Sequence, residues 1–296
     1  MTNMQAKQEF GGSWTENKLA RVQRYLHRYM VILRKYPSLV PIYVDAFAGT
    51  GYRTEPSKSA TGQLPLVQLA ESDKEFLNGS ARNALEVDPK FGRYIFVELS
   101  KRRVEELQGL ATTFPDLASR IDIVRQDANA FLQSWCKQTD WRSHRAVVFL
   151  DPYGMQVEWS TIQCLAQTEA VDLWYLFPLS AVNRLLTRAA RPRQSWIECL
   201  NRIYGSPDWL AAFYHKQRVT DLFGTREVEV KDTNFSRIAE FTMNRLKTAF
   251  PAVAPNPLVL LSENKSPLFL LCFAAASRQA STQKAALNIA SHILKM

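Results

Sequence analysis

From Ile42 onward, short apolar runs alternate with stretches of helical periodicity, and this alternation constrains the chain more than any other feature. Strand and helix in regular succession mark βαβ units, in which a mainly parallel sheet is covered by helices. The runs predict strands at 42–47, 94–98, 121–125, 146–150 and 171–177, with helices near 63–77, 100–113, 128–138 and 157–168. Upstream, Ser13 and Glu16 have capping-box spacing, and Leu19, Val22, Leu26, Tyr29, Leu33 and Tyr36 recur every three or four residues, predicting an amphipathic helix over about 16–36. Its other face, with Lys18, Arg21, Arg24, Arg28 and Lys35, reads as solvated and able to touch phosphates. After Phe177 the alternation stops, and 180–250 reads as helical. Two apolar runs then follow at 258–261 and 268–273, separated by Glu263-Asn264-Lys265, with a last helix at about 280–295. So short a gap makes an antiparallel hairpin, because a parallel return needs a crossover of a dozen or more residues.

The expected architecture is α/β: one doubly wound, mainly parallel seven-stranded sheet ending in an antiparallel hairpin. It forms a single domain over 1–296, with an N-terminal helical extension at about 13–40 and a helical insertion at about 180–250. A chain of 296 residues with 46% hydrophobic content can bury a full core of this kind. No apolar run is long enough to span a bilayer, and the opening MTNMQAKQEFGGSW lacks the apolar core of a secretory signal, so a cytoplasmic protein without a membrane partner is expected. Cys136, Cys164, Cys199 and Cys272 lack CxxC spacing and read as small core residues, while His27, His144, His215 and His292 share no metal-ligand spacing, so no metal is expected. The formal charge of +9 favours a polyanionic partner, DNA or RNA.

In an open α/β sheet, ligands bind beyond the carboxyl ends of the strands. The first strand ends in Asp45-Ala46-Phe47-Ala48-Gly49-Thr50-Gly51, where the glycines would let the backbone approach a ligand. Asp45 can pair with the ammonium of a bound amino-acid moiety but would repel a pyrophosphate, which argues against a nicotinamide-dependent oxidoreductase. The second strand ends in Glu98, an acid suited to ribose hydroxyls. Its distance from Gly51 implies an insertion at about 52–61 and a longer connection near 78–92. The third strand leads to Asp127, an acceptor for an adenine amino group or the N-cap of the next helix. Together these ends suit S-adenosylmethionine, with Asp45, Phe47, Ala48, Gly49, Gly51, Glu98 and Asp127 as the candidate cofactor residues.

The fourth strand runs directly into Asp151-Pro152-Tyr153-Gly154. In amino-group methyltransferases an acid, a proline and an aromatic stand at this point. The acid or a carbonyl accepts a hydrogen bond from the target amine, and the aromatic stacks on an extruded base. Asp151, Pro152 and Tyr153 are therefore the candidate catalytic residues, with Gly154, Arg184 and Arg188 as substrate contacts. The last two belong to an arginine-rich stretch, 184–202, after the fifth strand. A plain β-turn is the alternative for the tetrapeptide, and a solvated helical face for the arginines. Trp141, Trp159, Trp174 and Trp196 read as core or interface anchors.

Thr15-Glu16-Asn17-Lys18-Leu19, the run Tyr43–Gly51, Phe96-Val97-Glu98, Phe149–Gly154 and Pro267-Leu268-Phe269-Leu270 together resemble the three-Cys-motif partner family, over most of the chain. The resemblance implies a bacterial class I methyltransferase-like fold, usually encoded beside a protein with a three-cysteine motif, which becomes a candidate partner. It also implies the catalytic and cofactor roles just given. The tetrapeptide departs from the commoner Asp-Pro-Pro-Tyr, with its aromatic one residue early. Two functions follow as expectations. One is an S-adenosylmethionine-dependent methyltransferase acting on a nucleic acid, at an exocyclic base amine with adenine N6 preferred. The other is a non-catalytic module that holds nucleic acid or a protein partner.

Overall fold

The computed structural model describes residues 13–48, 79–187, 191–221 and 224–296. Gly49, Gly51, Arg188, the predicted helix at 63–77, the proposed insertion at 52–61 and the side chains of Ser13 and Glu16 lie outside the described residues.

Five strands succeed one another with helices between them: β1 (Val40–Asp45), β2 (Arg93–Glu98), β3 (Ile121–Arg125), β4 (His144–Leu150) and β5 (Val171–Phe177). Each matches a predicted run to within two residues: β1, β2, β4 and β5 are continuous apolar runs, largely buried, whereas β3, at the sheet edge, is half-buried. The helices are α1 (Ser13–Leu33), α2 (Gly79–Glu86), α3 (Lys101–Thr113), α4 (Ala128–Gln138) and α5 (Trp159–Gln167). After β5 come α6 (Leu179–Leu185), α7 (Gln194–Tyr204), α8 (Trp209–Phe213), β6 (Tyr214–Asp221), β7 (Gly224–Lys231) and α9 (Phe235–Ala249). The chain closes with β8 (Ala252–Val253), β9 (Leu258–Leu261), β10 (Pro267–Ala275) and α10 (Ala280–Lys295).

The main sheet has the order β3-β2-β1-β4-β5-β10-β8, with β9 also on β10. The first five strands are parallel, and β10 is antiparallel to β5. Leu270 and Leu271 pair with both β5 and β9, while Ala274 and Ala275 pair with both β5 and β8. So β8 and β9 lie end to end on one edge and fill a single strand position. The break between them contains Pro255 and Pro257, residues unable to donate to a ladder. The sheet therefore has seven strand positions, as expected, with one of them divided.

Helices cover both faces. Leu132, Trp135, Ile162, Leu165, Leu200, Trp209 and Ile238 pack on one side of the sheet against Val44, Val148, Leu173 and Tyr175. On the other, Leu19, Val22, Tyr25, Leu85, Leu107 and Ile293 pack against Tyr43, Phe96, Phe149, Trp174 and Phe273.

One segment differs from expectation. The stretch read as helical over 180–250 also contains β6 and β7, a separate antiparallel pair. Lys216 stands opposite Glu229 and Arg218 opposite Glu227, and although Val228 and Val230 alternate with those acids, they face Gln217 and His215, so the apolar alternation that marks a half-buried strand is short and confined to β7.

Candidate active site

The sheet order reverses at β1: β2 and β3 lie to one side, β4 and β5 to the other. The chain leaving β1 bonds to both neighbours in turn, with Ala46 N–H donating to Phe149 O at 3.1 Å and Ala48 N–H to Val97 O at 3.0 Å. Such a switch point opens a crevice at the strands' carboxyl ends. Three acids converge there, each two residues after a buried aromatic: Tyr43-Val44-Asp45, Phe96-Val97-Glu98 and Phe149-Leu150-Asp151. Because a strand alternates sides with period two, each acid projects toward the aromatic-lined face on which α1 packs.

Asp45 is 1% exposed. Its Oδ1 accepts from Phe47 N–H at 3.2 Å, whereas Oδ2 has no hydrogen-bond partner among the described residues. Burial pushes its carboxyl up to about 7, reinforced by nearby Asp151 and opposed by the Ser80 hydroxyl, the Phe47 N–H and Lys18. Glu98 is also buried; its Oε1 accepts from Ser100 N–H at 2.7 Å, and Oε2 likewise has no described partner. A buried carboxylate oxygen without a donor is costly, so two of them at adjacent strand ends fit a ligand that brings donors. Asp127 is exposed and caps α4, its Oδ1 accepting from Ala130 N–H at 3.0 Å. Phe47 is half-buried and Ala48 buried between the two strand ends.

Asp151 is ion-paired with Lys18 of α1. Pro152 is buried and Tyr153 half-buried, and Tyr153 N–H donates to Gln156 Oε1 at 3.0 Å. Gly154 has φ of +82°, in the left-handed region that favours glycine. Buried Asn129, from the first turn of α4, holds the far end of this loop. It donates to Gln156 O and accepts from Glu158 N–H, both at 2.9 Å. Arg184 is exposed in the last turn of α6, and Arg193 stacks over Trp196 at 5.2 Å. Trp159 and Trp174 are core residues, and Trp141 and Trp196 pack partly buried against the core.

Lys18 corrects the expectation of a solvated basic face: it is 3% exposed, and Arg21 is buried too. Its ammonium reaches Asp151 and lies 6.0 Å from the Phe149 ring centroid. A signal was present in the spacing, because Lys18, Val22, Tyr25 and Tyr29 fall at i, i+4, i+7 and i+11 and so share one helix face. Ser80, which bears on Asp45, carries no such signal.

Strand order, the reversed last strand and acids at the first strand ends are the features of class I methyltransferase-like α/β proteins. No family model matches the chain, and no curated protein matches it in sequence. Among solved structures, the chain is similar to spermidine synthase from Thermotoga maritima, with 10% identity and a TM-score of 0.42, covering 92% of this chain and 62% of that one. It is similar to protein LPL1258 from Legionella pneumophila, with 12% identity and a TM-score of 0.38 over 81% of this chain and 93% of that one. The glycopeptide N-methyltransferase MtfA, complexed with S-adenosyl-L-homocysteine, gives 11% identity and a TM-score of 0.32 over 84% and 89% of the two chains. The fold is defined by strand order and direction, not by these distant likenesses.

Proposed function

We propose that the protein is an S-adenosylmethionine-dependent methyltransferase acting on a nucleic acid, at an exocyclic base amine with adenine N6 preferred. The observation that carries this reading is the pair of buried carboxylate oxygens on Asp45 and Glu98 at the switch point that have no hydrogen-bond partner among the described residues. In this reading Asp45 receives the ammonium of the cofactor's amino-acid moiety, Glu98 its ribose hydroxyls, and Asp127 the adenine edge beside its capping bond. Phe47 and Ala48, with Gly49 and Gly51 of the same sequence motif, are assigned to contact the cofactor. When bound, the cofactor supplies an activated methyl group on a sulfonium, so positioning accounts for much of the rate. Asp151 accepts a hydrogen bond from the acceptor amine and directs its lone pair. Tyr153 stacks on the base, Pro152 shapes the turn, and Gly154 lets the backbone pass. Arg184 and Arg188 contact phosphates, in keeping with the formal charge of +9. The family resemblance further suggests a three-Cys-motif protein as a partner and a bacterial, cytoplasmic setting.

The test is transfer of labelled methyl from S-adenosylmethionine to DNA, RNA and protein. Incorporation into nucleic acid, lowered at least ~100-fold by Asp151→Ala with cofactor affinity kept, is the expected result. Labelling of protein alone would overturn the nucleic-acid assignment. The Lys18–Asp151 ion pair favours a second reading, a non-catalytic binding module, because the acid already holds a cation. In that case Asp151→Ala would leave the biological activity intact.

A further inference from the structure

We propose that Asn129 is a positioning residue for the acceptor side of the site: through Gln156 it fixes Tyr153, on which the acceptor base stacks. The inference rests on the reading of Tyr153 as the stacking residue.

Tyr153 stands in the loop between β4 and α5, and Gly154, next in the chain, has the widest backbone freedom of any residue type. The ring's place therefore depends on what holds the backbone around it. Tyr153 N–H donates to Gln156 Oε1 at 3.0 Å. Gln156 is itself exposed, and an exposed glutamine on an untethered backbone has many rotamers to lose before it can hold anything. Its backbone is tethered by Asn129, whose Nδ2 donates to Gln156 O at 2.9 Å and whose Oδ1 accepts from Glu158 N–H and Thr161 Oγ1, both at 2.9 Å. Asn129 is 8% exposed, and Val157, between the two bonded backbone groups, is buried in the core. One buried amide thus serves a carbonyl, an N–H and a hydroxyl, a set that neither a carboxylate nor an apolar side chain of similar size can serve. Satisfied buried networks of this kind rigidify what they join. Gln133, one turn along α4, bonds instead to Ser160 Oγ at 3.1 Å and Thr161 Oγ1 at 3.0 Å, fastening α5 rather than the loop. The tether on the ring thus runs from α4 through Asn129 and Gln156 to Tyr153. A ring fixed before the acceptor arrives stacks on it without the added cost of ordering the loop.

Two measurements on the full chain test this. Hydrogen exchange at the Tyr153 amide, followed without any ligand, should quicken roughly tenfold in Asn129→Ala, although that variant removes no atom bonded to Tyr153. Gln156→Ala should quicken it as much and, at an exposed position, serves if Asn129→Ala does not fold. Gln156→Glu keeps an acceptor and should retain the protection, and Gln133→Ala, which loosens only α5, should leave the exchange unchanged. In the second measurement, affinity for fluorescent oligo(dA) or oligo(rA) should fall roughly fivefold or more in Tyr153→Ala and in Asn129→Ala. It should fall little further in the double variant, because both changes remove the same contact. Unchanged Tyr153 exchange in Asn129→Ala and Gln156→Ala, equal quickening in Gln133→Ala, or full oligonucleotide affinity in Asn129→Ala beside a weakened Tyr153→Ala would overturn the inference. A wild type that binds neither oligonucleotide, or binding untouched by Tyr153→Ala, would instead overturn the reading on which it rests.

Discussion

Asp45 does two things at once, and they pull against each other. Burial raises its carboxyl to about 7 from an ordinary 3.8, while the proposed role requires the ionised form. Cofactor affinity should therefore rise with pH, by roughly tenfold between pH 6 and pH 8, as the fraction ionised increases. Asp172, on β5, is likewise raised to about 7 by burial, against a bond from the Tyr25 hydroxyl at 2.5 Å. A raised carboxyl pKa means that the folded state binds the proton more tightly than the unfolded chain. Stability contributed by each group is thus full below pH 3.8 and is lost as pH climbs toward 7, at up to ~1.4 kcal/mol per pH unit per group. Asn substitution at either position should flatten that decline in urea unfolding followed from pH 4 to pH 7. An unchanged slope in both variants would contradict the assignment. At this scale much of the site was legible: Asp45, Glu98 and Asp151 stand at strand ends, where side-chain type and position are both visible in the sequence. Lys18 was missed because a lysine on an amphipathic helix is ordinarily solvated, and its ion pair with half-buried Asp151 is visible only in the fold.

Among the elements, α1 matters most to the site, because it delivers Lys18 while anchoring itself farther along. Tyr25 packs edge-on against Trp174 at 5.3 Å and near Phe273 at 4.9 Å, and its hydroxyl reaches Asp172. Tyr25→Phe keeps the ring and removes the donor to a buried carboxylate, so it should destabilise the fold by about 1–3 kcal/mol in urea denaturation. A loss below about 0.5 kcal/mol would mean that the hydroxyl does not anchor the helix. Element reading from sequence succeeded where hydrophobic period is strong, as in β3 and β5, whose bounds were predicted as found. It failed at β6 and β7, where Val228 and Val230 give only a short alternation opposite polar partners, and at two-residue β8, too short to show a period. The division of the edge strand was also hidden: each proline is visible, but only pairing on β10 shows that both pieces occupy one position.

For the molecule as a whole, the reversed strand β10 gives the sheet its character. It lets the chain finish beside β5 without a crossover and leaves the switch point at β1 as the crevice between two outward-running halves. Excess positive charge would draw a polyanion toward the molecule, and the roles proposed for Asp151 and Tyr153 would select among what arrives. Both steps depend on the strand-end acids forming a cofactor pocket. Calorimetry with S-adenosylmethionine and S-adenosylhomocysteine on wild type, Asp45→Ala and Glu98→Ala tests that claim most directly. Saturable binding of both ligands by the wild type, weakened at least tenfold in each variant while all three remain folded, is the predicted result. Absence of binding by the wild type, or full affinity in both variants, would contradict it.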